Sequence, residues 1–398
     1  MTVILDHSVR TVANVPDPAT PAPPALDVWT DQASLVAALR FATMTLPSRP
    51  GLPVFAGLIV EGVGDAVKLT AVDFAQQAEV IIPGSGVGRA LVPGRQLLDL
   101  ARQLPKRSQV RLTLDGDSVR IDGGPVAYSV RVLPFDKYPA VVDFAGMARE
   151  WVTMTGADVA SVADVAMASS TDGTLPVLCG VCLDVADGVA RFQATDRYRM
   201  AEWTTTAATG AVGRVIIPTD AVKATRYMVK SATVTVSVVE NQRNGKVHVI
   251  ITDGARTVAA EAYPAEFPKV GALWPKATEH RVTLPVGTFL DGVKAVGTAC
   301  ERSMPVRLTT GADTVVISTT GEATADEATA ETTVPASTDA NLVIAFNPKY
   351  LADAVKSVAG KTGQAVVMAA NEPKRPAVFS RDDRPDFRVL LMPVCLAG

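Results

Sequence analysis

The segment FNPKYLADAVKSVA, residues 346–359, decides how the rest of the chain is read. Asn347 ahead of Pro348 has the form of a helix start. An Asn side chain caps unpaired amides, and a proline at the first helical position gives up an N–H that had no partner to lose. Leu351, Ala354, Val355 and Val358 then fall at i, i+3, i+4 and i+7, one apolar stripe of an amphipathic helix. The form occurs twice more. VPGRQLLDLARQLP (92–105) and IPTDAVKATRYMVK (217–230) also open on an apolar residue and a proline, and Pro93, Pro218 and Pro348 lie 125 and 130 residues apart.

A second helical pattern shares that period. TDQASLVAALRFATM (30–44), TGADVASVADVAMAS (155–169) and PVGTFLDGVKAVGTA (285–299) each open on a small or capping residue. Their apolar residues keep helical spacing: Leu35, Leu39 and Ala42; Val159, Val162 and Ala166; Phe289, Val293 and Val296. Around the helices lie alternating runs typical of half-buried strands, among them AVKLTAVDF, GVARFQATD, TVVISTTGE, VRLTL, TVTVSVV and KVHVIIT. Asp115-Gly116, Asp187-Gly188 and Asn244-Gly245 punctuate them as turns. The spacing predicts an α+β chain of three tandem similar domains, each with two helices packed on antiparallel sheets. A period of about 124 residues is too long for a solenoid. The expected boundaries are 26–145, 146–277 and 278–398, after a Pro-rich extension over 1–25. NVPDPATPAPPA (14–25) holds five prolines and no aromatic residue, so that extension is expected to be disordered.

Composition narrows the classes. The 398 residues are 48% apolar and 20% charged with a net charge of −3, which neither advertises nor excludes nucleic acid, because a patch matters more than a sum. Four cysteines argue for a reducing compartment, no apolar run reaches 18 residues, and the N-terminus lacks the apolar core of a secretory signal. The expectation is a cytoplasmic protein without a membrane span.

Catalytic and cofactor motifs find little support. CGVC (179–182) sits in the apolar run PVLCGVCLDV, and the remaining Cys300, Cys395, His7, His248 and His280 are scattered, so two small strand residues is the reading rather than a zinc or redox site. GSGVGR (84–89) lacks the Lys-Ser/Thr of a phosphate loop and does not lead directly into a helix; a flexible inter-strand loop is expected. Three histidines make a nucleophilic triad improbable. The acidic run GEATADEATAE (321–331) reads as a solvated strand and turn. No cofactor and no metal are expected.

Two features stand out. The proline-led helices carry Arg95 and Arg102, then Lys223, Arg226 and Lys230, then Lys349 and Lys356. Basic residues on the same element of every repeat, in an acidic chain, point to a segregated positive surface suited to sequence-independent phosphate contact. ATDRYRMAEW (194–203) packs an Asp, two Arg and a Tyr among apolar residues, and the equivalent strand ends TAVDFAQQAE and STTGEATADE lack the Arg and Tyr.

From residue 26 on, the chain resembles the bacterial DNA polymerase III β subunit family, the sliding clamps. The resemblance is carried by SRPGLPVFAGLIVE (48–61), by ATDRYRMA (194–201, family form ATDG[HY]RLA), by RVLLMPVCL (388–396, family form near YLLMPVRL), and by EFPKVGALWP (266–275), a degraded FPDYRxxLP segment. It implies a clamp fold, a head-to-tail homodimer making a six-domain ring with helices lining the hole, and no chemistry. It further implies double-stranded DNA as a partner without sequence specificity. A groove between the second and third domains would take short peptide motifs of the polymerase III α subunit, the clamp loader and repair polymerases. By matched motif the groove would use Leu178, Thr195, Arg197, Tyr198, Arg199, Met200, Pro268, Leu273, Leu390, Met392, Pro393, Val394 and Cys395, and Arg49 would join the seven helix residues in contacting DNA.

The chain also departs from the family. Arg197 stands where the family has glycine, and glycine there usually marks positive φ or close backbone approach. Cys395 replaces an arginine, and Val270, Gly271 and Ala272 replace a Tyr-Arg segment. A divergent clamp or paralogue that tolerates clamp-binding inhibitors is therefore one expectation. A clamp-derived scaffold that forms no ring is an alternative, and an enzyme built on Asp196, Arg197, Tyr198 and Arg199 a weaker one, since no partnered base stands nearby.

Overall fold

The structure, a computed structural model, describes residues 25–144, 148–208, 210–241, 245–299, 304–320, 328–338, 341–360 and 363–395. The Pro-rich segment up to residue 24, His7, Asn244, Cys300 and residues 321–327 of the acidic run lie outside them. The described chain holds six α-helices: α1 Gln32–Ala42, α2 Gly94–Gln103, α3 Gly156–Val165, α4 Thr219–Ala224, α5 Val286–Ala299 and α6 Pro348–Ala359. They fall in pairs, two to each stretch of the repeat.

Local chemistry explains where the helices start and stop. Asp31 caps α1, its side chain accepting from the Ser34 N–H at 2.9 Å, and Asn347 caps α6 by accepting from Lys349 and Tyr350 N–H groups at 3.0 and 3.1 Å. Pro348 occupies the first turn of α6, whereas Pro93 and Pro218 stand one place earlier, as N-caps with extended backbone. The middle pair is shorter than its apolar spacing suggests. α4 stops at Ala224 and tightens into a 3-10 turn over Thr225–Met228, where the Thr225 hydroxyl donates to Val222 O at 2.6 Å. Likewise α3 passes into a 3-10 turn at Ala166–Ala168.

The chain divides into two compact units, 1–159 with 207–264 and 160–206 with 265–398, and these cut across the repeat boundaries. In the first unit one antiparallel sheet runs from Val126–Arg131 through Ser118–Gly123, Gln109–Asp115, Asp27–Asp31 and Gln76–Val87 to Arg256–Glu261, Lys246–Thr252, Val234–Asn241 and Arg149–Met154. Its seam is the pairing of Gln76–Val87 with Arg256–Glu261, where Arg256 faces Val80 and Ala260 faces Gln76. Leu35, Leu39 and Phe41 of α1 and Leu97 and Ala101 of α2 are buried in this unit.

In the second unit Gly180–Ala186, Val189–Thr195, Arg199–Thr206, Arg384–Leu391, Ala377–Arg381, Val366–Ala370, His280–Leu284 and Ser337–Thr338 lie side by side. A separate sheet orders Glu331–Pro335, Thr314–Thr319, Val306–Gly311 and Val343–Phe346. Phe289, Val293 and Val296 of α5 and Leu351, Val355 and Val358 of α6 are buried, as their spacing requires. The Asp187-Gly188 turn joins its strands with φ of 53° and 74°, both left-handed, as a two-residue hairpin demands.

One expectation is corrected. GSGVGR is not a loop: 84–87 belong to the strand Gln76–Val87 and Arg89 opens the strand Arg89–Pro93. A side chain on Gly84 or Gly86 would run into the backbone of Trp29 or Asp27 on the neighbouring strand, so these glycines serve close strand approach, not flexibility. No described helix is long and apolar enough to cross a membrane.

Candidate functional site

The hairpin between Val189–Thr195 and Arg199–Thr206 turns through Asp196, Arg197 and Tyr198. Arg197 sits at φ 80°, a conformation that costs a residue with a Cβ and comes freely to glycine. Hydrogen bonds on both sides hold it there. Asp196 Oδ1 accepts from the Tyr198 and Arg199 N–H groups, each at 3.0 Å, and Thr195 Oγ1 accepts from Arg197 N–H at 3.2 Å while donating to Arg199 O at 2.8 Å.

Arg199 is buried and doubly paired. Its Nε meets Asp196 Oδ2 at 2.9 Å, its Nη1 meets Asp353 Oδ2 of α6 at 2.9 Å, and its guanidinium lies 4.4 Å over the Tyr350 ring. Tyr198 stacks on the same Tyr350 at 6.0 Å yet remains 55% exposed. Burial, and then the Asp196 carboxylate, push the Tyr350 phenol above its ordinary range. The charged part of ATDRYR thus splits in two: Asp196 and Arg199 build the turn, while Arg197 and Tyr198 face outward. Across from Arg197 stands the Asp172 carboxylate, held below its ordinary range first by hydrogen bonds from Thr174 and further by the Arg197 charge.

The other expected residues assemble on neighbouring backbone. Thr195 pairs with Met200, and Met200 with Leu390, so the three form one row across three strands. That row is buried, as is Leu178, which closes the 3-10 turn Pro176–Leu178 ahead of the strand Gly180–Ala186. Cys179 caps this turn and only Cys182 lies within the strand, so CGVC spans a turn and a strand because Pro176 starts a helical turn there. Beyond Leu391 the chain stays in register: Met392 N–H donates to Tyr198 O at 2.9 Å and Val394 N–H to Ala345 O at 2.8 Å. Tyr198, Leu273, Met392 and Val394 are exposed apolar side chains, accompanied at the surface by Pro268 and Cys395, with Pro393 half-buried. Exposed apolar side chains of this kind offer area on which another molecule can pack.

Several contributors escaped the sequence reading. Tyr350 and Asp353 were legible only as helix residues, although an aromatic and a carboxylate three apart share a face. Trp274, Arg388 and Glu202 lay within the quoted motifs without a role.

The basic residues of the helices are all at the surface. In the first unit, Arg95 donates to Leu46 O at 2.6 Å, Arg102 pairs with Asp99 at 3.3 Å, Lys223 pairs with Asp220 at 3.0 Å, and Arg226 lies 5.1 Å over Tyr227. Arg49 and Lys230 are exposed there, and Lys349 and Lys356 are exposed on α6 of the second unit. Asp99 and Asp220 offset part of the positive charge on their own helices. Among the described residues no group of three His, Cys, Asp or Glu is placed to hold a metal ion.

Comparison with known proteins gives a consistent family. Sequence profiles of the DNA polymerase III beta subunit match in order: the N-terminal domain over 27–142, the central domain over 158–269 and the C-terminal domain over 272–395. A beta sliding clamp of Streptomyces coelicolor is 28% identical over 375 residues, covering 92% of this chain and 98% of its own. A beta sliding clamp homolog, GriR, of Streptomyces muensis is 25% identical over 367 residues, covering 88% and 94%. Sliding clamps of Bartonella birtlesii and Pseudomonas aeruginosa, both solved bound to griselimycin, share the fold with TM-scores of 0.81 and 0.80. Their identities are 20% and 19%, and they cover 93% and 94% of this chain and 100% of theirs.

Proposed function

Because the chain belongs to the DNA polymerase III beta subunit family, the beta sliding clamps, we propose that it closes into a head-to-tail homodimeric ring around duplex DNA and tethers polymerases there. The family is a non-catalytic processivity factor, so its work is mechanical: dissociation gives way to sliding, and a tethered partner stays at high effective concentration. The observation that carries the reading is the uninterrupted order of the three family domains across residues 27–395. We read the clamp domains as 26–145, 146–277 and 278–398; three domains are what the family matches support, although the C-terminal match itself starts at 272.

Two edges support ring closure. Val126–Arg131 ends the sheet of the first unit, and Glu331–Pro335 ends the four-stranded sheet of the second. Among the described residues each leaves a row of backbone donors and acceptors without a strand beside it, and an edge of that kind pairs with another chain unless something covers it. Pairing the first edge of one protomer with the second edge of its partner satisfies both. The exposed Arg49, Arg95, Arg102, Lys223, Arg226, Lys230, Lys349 and Lys356 would contact phosphates, with no base readout.

The groove reading assigns Leu178, Thr195, Met200 and Leu390 to the floor. Arg197, Tyr198, Pro268, Leu273, Met392, Pro393, Val394 and Cys395 line the accessible surface, and Arg199 fixes the turn. Its ligands would be short apolar peptide motifs of the polymerase III α subunit, the clamp loader and repair polymerases, in the cytoplasm. The decisive test is loading onto circular DNA with a clamp loader. Retention on circles with release on linearised DNA, at a solution mass of two chains, is the expected result. A monomer that never stays on circles returns the scaffold reading.

A second reading concerns inhibitor tolerance. Arg197 at positive φ, Cys395, and Gly271 and Ala272 of the replaced segment are all at the surface, and among the relatives stand GriR and clamps bound to griselimycin. An added charge that rejects one ligand while essential partners still bind is a direct route to discrimination. Arg197→Gly and Cys395→Arg should each change affinity for a clamp-binding peptide or for griselimycin by more than about twofold, roughly 0.4 kcal/mol; smaller changes discard this reading.

A further inference from the structure

The exposed segment ahead of Pro275 has lost the Tyr-Arg chemistry that the family resemblance led one to expect, yet it does not lie loose. Trp274 is buried, and Arg388 of the strand Arg384–Leu391 lies over its ring at 3.9 Å. Arg388 in turn donates twice to Glu202 Oε1, from Nε at 2.9 Å and from Nη2 at 2.6 Å. Glu202 is itself buried, and its other oxygen accepts from Gln193 at 2.6 Å with Arg191 at 3.6 Å. The indole N–H finds no acceptor among the described residues, and the Arg388 guanidinium stacks on the ring.

Strand register gives this stack its meaning. Gln193 faces Glu202 and Glu202 faces Arg388, two residues along from the row in which Thr195 faces Met200 and Met200 faces Leu390. Side chains two apart on a strand share a face. The ion-paired row and the buried apolar row are therefore adjacent on one face of the sheet, and Trp274 covers the first of them. Leu273, the next residue, is 49% exposed.

We propose that Trp274 is a positioning residue of the peptide groove. Clamped on Arg388, it fixes the 268–273 segment as a wall beside the Thr195–Met200–Leu390 floor and holds Leu273 where a ligand's apolar side chain can pack on it. The inference rests on the groove reading above. A planar guanidinium already locked by a buried carboxylate is a rigid seat for an indole, which an aliphatic side chain or an ammonium would not use in the same way.

The test measures binding of a fluorescein-labelled clamp-binding peptide of the polymerase III α subunit by anisotropy, together with dissociation rate, thermal midpoint and solution mass. Trp274→Ala is expected to weaken binding about tenfold, the scale of a desolvated cation–π contact, mainly through faster dissociation. The mass should stay that of two chains, while the midpoint falls, as removal of a buried indole requires. The readings that separate positioning from general destabilisation are the dissociation rate at a temperature well below that midpoint and the two variants that follow. Trp274→Phe, which keeps a ring over the guanidinium, should recover most of the loss. Arg388→Lys, which keeps a charge for Glu202 and removes the planar seat, should weaken binding as Trp274→Ala does, and it carries the test alone should the alanine variant fail to fold. Wild-type binding with both variants within about twofold of it overturns the positioning role and leaves the groove standing. A wild-type protein that does not bind the peptide overturns the groove itself, and the inference with it.

Discussion

Arg199 Nη1 and Asp353 Oδ2, separated by 154 residues in sequence, meet at 2.9 Å and join the ATDRYR turn to α6. Arg199 keeps Asp196 as its other partner, so removing Asp353 leaves a buried guanidinium half-paired rather than abandoned. Asp353→Asn is expected to cost about 1.5 kcal/mol, the low end of the range for a hydrogen bond to a charged group, because Asp353 is partly exposed and asparagine still offers an oxygen. Urea unfolding with an unchanged slope checks it, and a cost under about 0.3 kcal/mol would show that Asp196 alone suffices.

Arg197 predicts the opposite sign. A non-glycine residue at φ 80° carries about 1–3 kcal/mol of strain. The extra freedom glycine gives the unfolded chain takes back about 0.4–1 kcal/mol. Arg197→Gly should therefore stabilise the protein by about 1 kcal/mol, read as a raised urea midpoint, while Arg197→Ala should not. Equal midpoints for the two variants would remove backbone strain as the explanation.

His248 supplies a pH dependence. Burial holds its pKa below 6.5; the Glu261 carboxylate opposes the shift, the Lys246 charge adds to it and a backbone hydrogen bond at Lys246 opposes it. The ring packs 5.5 Å from Phe144 with Nδ1 unpartnered among the described residues. Because the folded pKa is depressed, the unfolded chain binds the proton first. The contribution is complete above pH 6.5 and is lost as pH falls through the folded value. Wild-type unfolding free energy should decline between about pH 7.5 and pH 5.5, and His248→Gln should flatten that decline. Parallel profiles would assign the slope to other groups.

For DNA, the expected signature is salt dependence. Each phosphate contact contributes about 0.9 to the slope of log K against log salt. Arg49→Ala and Lys349→Ala should each shallow the slope by about that amount on short duplexes of any sequence. Lys223→Ala should do less, because Asp220 already engages that lysine at 3.0 Å. Equal losses from all three would show that the local pairing does not persist against DNA.

Much of the architecture was legible because proline and the 3.6-residue period mark helices locally. The 3-10 endings of the middle pair were not, since Thr225 bonds Val222 O through a hydroxyl that periodicity ignores. GSGVGR misled because glycine serves flexible loops and close strand crossings alike, and only the neighbouring Trp29 and Asp27 backbone distinguishes them. At the site, Arg197 was legible as a misplaced side chain in a glycine position, and its φ of 80° agrees. Tyr350, Asp353 and the Glu202–Arg388–Trp274 stack were not, because they meet only through tertiary contacts between segments distant in sequence: α6 against the hairpin turn, the register of Glu202 against Arg388, and Trp274 over Arg388.

The seam between Gln76–Val87 and Arg256–Glu261 has a practical consequence for anyone cutting the chain. A fragment ending at residue 145 follows the repeat but strips away the strand lying against 76–80. The first repeat made alone would expose newly bare backbone in mid-sheet over Gln76–Val80, with Glu79 as the one charge on that stretch, and would be expected to stick to its own kind.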